Sequence, residues 1–285
     1  MTFSARWEFD AIGTRWAVET EAPVSGRVRT RVGELVAQFD EQWSRFRSDS
    51  LVARLSAGGS APLPADGASM LDLYARLSDE TGGAVNPLVG RSLDALGYDP
   101  AYSFVAGGAM PAPAAWRDIL HWHDDTLSLD APAVIDVGAI GKGRLVDRVS
   151  AALAETHDTH VVDASGDIAV YGVTERIGLE HPYDPSRAIG VATVASGALC
   201  ASAVNRRAWG DGLHHVLDAR TGEPVRTVAA TWAIASDAMT ADAAATVLFF
   251  DEGPRAAASL DAHWVRMTTD GQVEWSPDAP VDLFF

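Results

Sequence analysis

Residues 134–147 read VIDVGAIGKGRLVD. An apolar run gives way to glycines at 138, 141 and 143, and then to a helical stripe of Leu145, Val146, Val149 and Leu153. This pattern predicts a strand, a tight turn and a helix. A glycine turn that opens a helix presents backbone N–H groups at the helix start, which suits phosphate oxygens. The glycines run G-x-x-G-x-G, which is neither the dinucleotide fingerprint nor a P-loop, since no Ser or Thr follows the lysine. Taken alone, the stretch is equally a close-packed strand-to-helix connection. Lys142 is the single lysine among 22 basic residues. A chain that writes arginine elsewhere keeps a compact ammonium at this turn.

Around this segment the pattern alternates between strand pairs and single helices. RWEFDAIGTRWAVET reads as two strands about a Gly13-Thr14 turn. Val28, Val32, Leu35, Val36, Phe39, Trp43 and Phe46 then follow helical spacing. A second helix carries Met70, Leu73, Tyr74 and Leu77 on one face and ends near Gly82-Gly83. DILHWHDDTLSLDAPAVIDVG alternates as strands and puts His121 and His123 on one face. That spacing suits a metal or, with no third ligand nearby in sequence, a plain polar face. Strands recur through THVVDAS, DIAVYG and RIGLEHP, and a hairpin is predicted with Gly210-Asp211-Gly212 at its tip. HWVRMTT and QVEWS close the chain as strands. Strand pairs with interleaved helices predict an α+β fold rather than a doubly wound sheet.

Composition narrows the function. The 285 residues are 47% hydrophobic, enough for one large domain or two closely packed ones, and the formal net charge is -17. Such a chain repels nucleic-acid backbones and anionic membranes. The lone Cys200 excludes an internal disulfide and reads as a buried small hydrophobe. The start, MTFSARWEFD, carries no signal-peptide pattern, and no stretch reaches the apolar length of a membrane span, so a cytoplasmic protein is expected, with no membrane insertion.

Three further stretches carry chemistry-bearing groups. In HHVLDARTGEP, residues 214–224, His215 is placed to take a proton from a hydroxyl, or it is an ordinary strand histidine before an Asx-turn at Asp218. In VVDASGDIAVYG, small residues let a planar ligand approach the backbone, or simply form a hairpin tip at Ser165-Gly166. In MTADAAATVLFF, Asp242 and Thr246 fall one helical turn apart. They complete part of a hard-cation shell, or they are a dipole-favoured acid followed by a threonine that bonds back along the helix.

In this order, the stretches resemble the FAD:protein FMN transferases of the ApbE type. AIGTRW resembles the family's M-G-T-x-W, IDVGAIGKGRLVDRV its D-L-G-G-I-A-K-G-x-A-V-D, and DASGDIAVYG its N-A-G-G-D. IGLEHPYDP resembles V-G-I-x-x-P, HHVLDARTGEP resembles H-I-I-D-P-x-T-G, and ADAAATVLF resembles A-D-A-L-S-T-A-L-F. The match runs over nearly the whole chain. It implies an ApbE-like, T-fold-related α+β fold of mixed sheets with interleaved helices. It also implies a single two-lobed unit over 1–285, with a sub-lobe boundary near 100–115. The implied reaction moves FMN from FAD to a threonine or serine hydroxyl of an acceptor flavoprotein and releases AMP. The Gly141 carbonyl, Asp242 and Thr246 would hold Mg2+, with Mn2+ as the alternative. Lys142 would bind ligand or fix its loop, and His215 would accept the hydroxyl proton. Gly13, Thr14, Asn86, Asp136, Gly138, Lys142, Ala164, Ser165, Gly166, Asp167, Glu180 and Ser202 would bind FAD.

Some positions depart from the family. Ala201-Ser202-Ala203 replaces T-S-G, Val85-Asn86 replaces F-D, Ile12 replaces the first Met, and Ala219 replaces a proline. Two other readings stay open: an FAD-binding or flavin-storage protein without transfer, and a Mg2+-dependent hydrolase splitting FAD into FMN and AMP.

Overall fold

The computed structural model describes residues 3–284. The chain divides into two compact units, one of residues 1–37, 140–206 and 227–285, the other of residues 38–139 and 207–226. Residues 100–115 lie inside the second unit. The helix α1 (Gly26–Trp43) runs through the border at 37/38. Every strand pairing among the described residues is antiparallel, as an α+β pattern requires.

The first unit is built on a nine-stranded sheet. Its strands are β1 (Ala5–Ala11), β2 (Thr14–Thr20), β6 (His160–Asp163), β7 (Asp167–His181), β8 (Asp184–Ala203), β13 (Val228–Ala235), β14 (His263–Thr268) and β15 (Val273–Trp275), in that spatial order. The ninth, β16 (Val281–Leu283), pairs with β8. The β1–β2 turn places Ile12 and Gly13 at φ 43° and 76°. Two left-handed residues match the twist of a two-residue hairpin, so the turn sits one residue earlier than the sequence suggests.

DIAVYG and RIGLEHP form one strand, not two. β7 and β8 make a long hairpin whose register slips between Val170 and Thr174. There Gly172 turns to φ 68° opposite Ser196 at φ 48°, and the Gly172 N–H donates to Ser196 Oγ at 3.2 Å. Beyond this bend the hairpin turns back over the sheet. Leu179, Ile189, Ala192 and Val194 share a buried core with Ala230 and Trp232 of β13 and Val265 and Met267 of β14. Burial of each large side chain there contributes about 1.5–3 kcal/mol.

β13 is apolar without alternation because both of its faces are covered. Ala230 and Trp232 face the hairpin core. Thr231 faces the helix α6 (Ala238–Val247), donating its hydroxyl to Ala245 O at 2.7 Å. The helices α5 (Gly141–Ala154) and α7 (Gly253–Ser259) complete this unit. No helix among the described residues is long and apolar enough to cross a membrane.

The second unit holds the helices α2 (Leu51–Leu55), α3 (Gly67–Glu80) and α4 (Gly90–Ala95). A three-stranded sheet pairs β3 (Gly59–Pro62) and β4 (Leu120–His123) with the central β5 (Thr126–Leu129). Two small hairpins follow, β9 (Ala208–Trp209) with β10 (Leu213–His214), and β11 (Leu217–Asp218) with β12 (Glu223–Pro224). The strand expected at 134–137 joins no ladder. Pro132 removes a donor just before it, and its bonds go one at a time to other segments, as when Asp136 N–H donates to Pro87 O at 2.8 Å.

Candidate functional site

In the first unit the glycine turn opens α5 at Gly141. Gly143 then meets α6 at backbone contact. A Cβ built on Gly143 would lie 2.2 Å from Ala238 O and 2.8 Å from Asp242 Cβ, so only glycine lets the two helices close to this distance. The same residue's N–H donates to Asp242 Oδ2 at 2.9 Å. The sequence permitted Asp242 to be a dipole-favoured acid at a helix start. The structure places the N-cap at Asp237, whose Oδ1 accepts from Thr240 N–H at 2.8 Å. Asp242 lies in the second turn, 7% exposed, where capping does not account for it. Within residues 241–250 every residue is buried except Thr246, one turn beyond Asp242 on the same face.

Lys142 Nζ lies 3.2 Å from Asp167 Oδ2 and donates to Ala164 O at 3.3 Å. Asp167 is 1% exposed, and Lys142 holds the start of β7 to the start of α5. The turn between β6 and β7 is Ala164, Ser165 and Gly166. Ser165 sits at φ 58°, Gly166 N–H donates to Asp163 Oδ1 at 3.0 Å, and Ser165 Oγ donates to Arg15 O at 2.7 Å. That last bond brings the turn beside Thr14 and Gly13 of the first hairpin. Ser202 lies on β8 two residues past Cys200, which is in register with Asp167. Glu180, at the far end of β7, returns with the folded-back hairpin and pairs with Arg206 at 2.9 Å, just after β8. The first unit therefore gathers Gly141, Lys142, Asp167, Ala164 and Asp242 tightly, with Ser165 and Thr14 adjoining.

Charge in this region is uneven. The buried thiol of Cys200 is pushed well up, by burial first and then by the carboxylates of Asp167 and Asp242, with Lys142 opposing and Asp147 adding to the rise. Asp147 is a site residue that sequence reasoning missed. From α5 it accepts the N–H groups of Ala238 at 2.7 Å and Met239 at 2.9 Å. Burial pushes its carboxyl up to about 6 in spite of these two bonds. It falls on the closing Asp of the motif that the glycine–lysine stretch resembles, but its role stays hidden in sequence because its partners lie in a helix reached 91 residues later.

The other expected residues belong to the second unit. Asn86 is engaged at both ends of its amide, donating to Pro113 O and accepting from Leu88 N–H, each at 2.9 Å. Asp136 accepts from Gly138 N–H at 2.7 Å and from Arg45 Nε at 2.6 Å. Arg45 is itself buried, bonding Asp94 at 2.7 Å and Tyr98 O at 2.8 Å, with its guanidinium 4.2 Å from the Phe46 ring centre. The hairpin of β11 and β12 is tied in by Ala219 N–H to Ala84 O at 3.0 Å and by Ala112 N–H to Ala219 O at 2.8 Å. Of the paired histidines, His214 is structural. Its Nε2–H donates to Val225 O at 2.7 Å, its Nδ1 accepts from Val216 N–H at 3.3 Å, and burial lowers its pKa. His215, the expected proton acceptor, is half-buried beside it. His121 pairs with Asp130 at 3.1 Å, as a polar strand face does.

The donor set of Gly141, Asp242 and Thr246 is all oxygen, with one carboxylate, and this chemistry fits a hard divalent cation that completes its shell with phosphate oxygens and water. Among the described residues no group of three or more His, Cys, Asp or Glu gathers as a metal cage.

A profile of the ApbE family matches residues 12–267. An FAD:protein FMN transferase from Rhodobacter capsulatus is 27% identical over 297 aligned residues, covering 95% of this chain and 56% of that protein. The chain thus spans about half the length of this curated relative. The ApbE protein of Thermotoga maritima superposes with a TM-score of 0.80 at 24% identity, covering 96% of this chain and 97% of that one. The flavin transferase ApbE of Vibrio cholerae superposes with a TM-score of 0.77 at 23% identity, again covering 96% and 97%. These solved structures share the fold, strand pairs and helices alike. With the profile covering all but the ends of the sequence, the chain belongs to the ApbE family.

Proposed function

We propose that this protein transfers FMN from FAD to a threonine or serine hydroxyl of an acceptor flavoprotein, releasing AMP. The observation that carries the reading is the seating of Asp242 against the glycine–lysine turn, with Gly143 N–H on its Oδ2 at 2.9 Å. Family membership supplies the reaction class, and the relative from Rhodobacter capsulatus bears that activity in its name.

In this reading the acceptor oxygen forms a bond to the phosphorus of the FMN half of FAD. The bond from that phosphorus to the bridging oxygen breaks, and the oxygen leaves with AMP. The hydroxyl proton passes to His215. Asp242, Thr246 and the Gly141 carbonyl hold Mg2+, or Mn2+. The ion, when bound, neutralises charge on the two phosphates, which is most of what phosphoryl transfer asks of a protein. Lys142, fixed by Asp167 and Ala164 O, keeps the turn in place and adds positive charge beside buried carboxylates. Gly13, Thr14, Ala164, Ser165, Gly166, Asp167, Glu180 and Ser202 are assigned to FAD; for Asn86, Asp136 and Gly138 the same assignment rests on the family resemblance alone.

The test is intact-mass measurement of acceptor flavoproteins after incubation with the protein, FAD and Mg2+. An FMN-sized increase on a threonine or serine, with one AMP per adduct, is expected. AMP release that does not need an acceptor would instead establish a hydrolase. FAD bound without either product would establish a storage protein.

A further inference from the structure

The four N–H groups at the start of α6 are all accounted for. Asp237 takes Thr240 N–H through its side chain at 2.8 Å and Ala241 N–H through its carbonyl at 3.1 Å, the usual local arrangement. The first two donors, Ala238 and Met239, go to Asp147, a residue of another helix. A cap alone needs no partner from α5.

The spacing on the two helices shows what this partner does. Asp147 meets Ala238, and Gly143 meets Asp242. Residues 143 and 147 are one turn apart on α5, and residues 238 and 242 are one turn apart on α6, so each pair shares a face. The contacts form two rungs between antiparallel helices. Thr246 lies one further turn along α6 on the face of Asp242, and Gly141 lies two residues before Gly143 at the start of α5. Gly143 holds its rung at backbone contact, because a Cβ there would strike Ala238 O, and Ala238 is the residue whose N–H Asp147 holds. The two rungs therefore fix both the separation and the slide of α6 along α5.

We propose that Asp147 is a positioning residue which, by clasping the first turn of α6 to α5, sets the spacing of Asp242 and Thr246 from Gly141 and so the affinity of this oxygen set for a divalent cation. The inference rests on the metal assignment in the preceding proposal. Asp147 does not touch the ion. Its burial, opposed by the nearby Asp237 carboxylate and only partly eased by Arg144, is a cost that a local cap would avoid, and the fixed helix spacing is what that cost sustains.

Calorimetric titration of the whole protein with Mg2+ in the presence of FAD, below the melting temperature of every variant, tests this. The comparison is among wild type, Asp242→Ala, Asp147→Ala, Asp147→Asn and Asp237→Ala. The wild type is expected to bind Mg2+, and Asp242→Ala to lose binding. Asp147→Ala should weaken binding at least about 10-fold, and Asp147→Asn, which keeps one acceptor oxygen, should fall between. Asp237→Ala removes a cap from the same helix without releasing the clasp, so it should lower the melting temperature and leave Mg2+ affinity within about 2-fold of wild type. Wild-type affinity in Asp147→Ala, or equal weakening in Asp147→Ala and Asp237→Ala, overturns the positioning role while the metal assignment stands. No Mg2+ binding by the wild type overturns the metal assignment itself.

Discussion

Two buried charge centres, one in each unit, are built differently. In the second unit the centre is a cation of the protein. The guanidinium of Arg45 lies among Asp136 at 2.6 Å, Asp94 at 2.7 Å and Tyr98 O at 2.8 Å, under the rings of Phe46 and Tyr98. In the first unit the carboxylates of Asp167, Asp242 and Asp147 bear on a buried thiol, with Lys142 as the opposing ammonium. The first arrangement carries its own permanent cation and binds loops together. The second has carboxylates at the meeting of two helices and, in the proposed function, takes its further positive charge from solution.

The comparison predicts that the two centres fail in different ways. The largest effect is on chemistry. Asp242→Ala should reduce FMN transfer by at least about 100-fold, read as adduct mass on an acceptor, while the protein still unfolds cooperatively in urea. Retained transfer would place the two centres in the same, purely structural class. Arg45→Met comes next and acts on stability. It leaves Asp136 and Asp94 around an uncharged side chain and should cost about 3–5 kcal/mol in urea unfolding, by the same amount with and without Mg2+. A loss that Mg2+ restores would erase the distinction.

A smaller effect concerns pH and sharpens the picture of the clasp. Asp147 has its folded pKa raised from 3.8 to about 6, so its burial costs stability above about pH 6. That cost is relieved as pH falls toward about 4. His160 is 0% exposed and bonded to Ser150 Oγ at 2.8 Å. It runs the other way, lowered from 6.5 to about 4 by burial, and its contribution is lost as pH falls through the same window. Each is worth about 3 kcal/mol at full extent, so in the wild type they offset. Asp147→Asn should unmask His160. Between about pH 6.5 and 4, the variant should lose about 2–3 kcal/mol more than wild type in urea unfolding. Parallel pH profiles would show that Asp147 is solvated and not part of a buried clasp.

Much of this was legible in the sequence because it is local. The helical stripe of 141–154, the first hairpin, the tip at 210–212 and the one-turn spacing of Asp242 and Thr246 all depend on residues a few places apart. The sequence suggests two strands where β7 is one because Gly172 resembles a turn, whereas it makes a bend where the register slips within a single long strand. The apolar run at 134–137 suggests a strand because periodicity does not report whether a partner strand exists. Asp147 and Arg45 escaped notice for a deeper reason. Their roles come from partners 91 and 49 to 91 residues away, and a lone acid or arginine on a helix or loop gives no sign of such a partner. The structural role of His214 is equally hidden in the sequence, because its ring is taken up by the backbone of Val225 and Val216.

The proposed reaction depends on a divalent cation held where the start of α5 meets α6. Anomalous scattering from a crystal soaked in Mn2+ with FAD tests it most directly. A single strong peak is expected within about 2.5 Å of the Asp242 carboxylate, the Thr246 hydroxyl and the Gly141 carbonyl. A peak elsewhere, or FAD bound with no peak at those three oxygens, would contradict it.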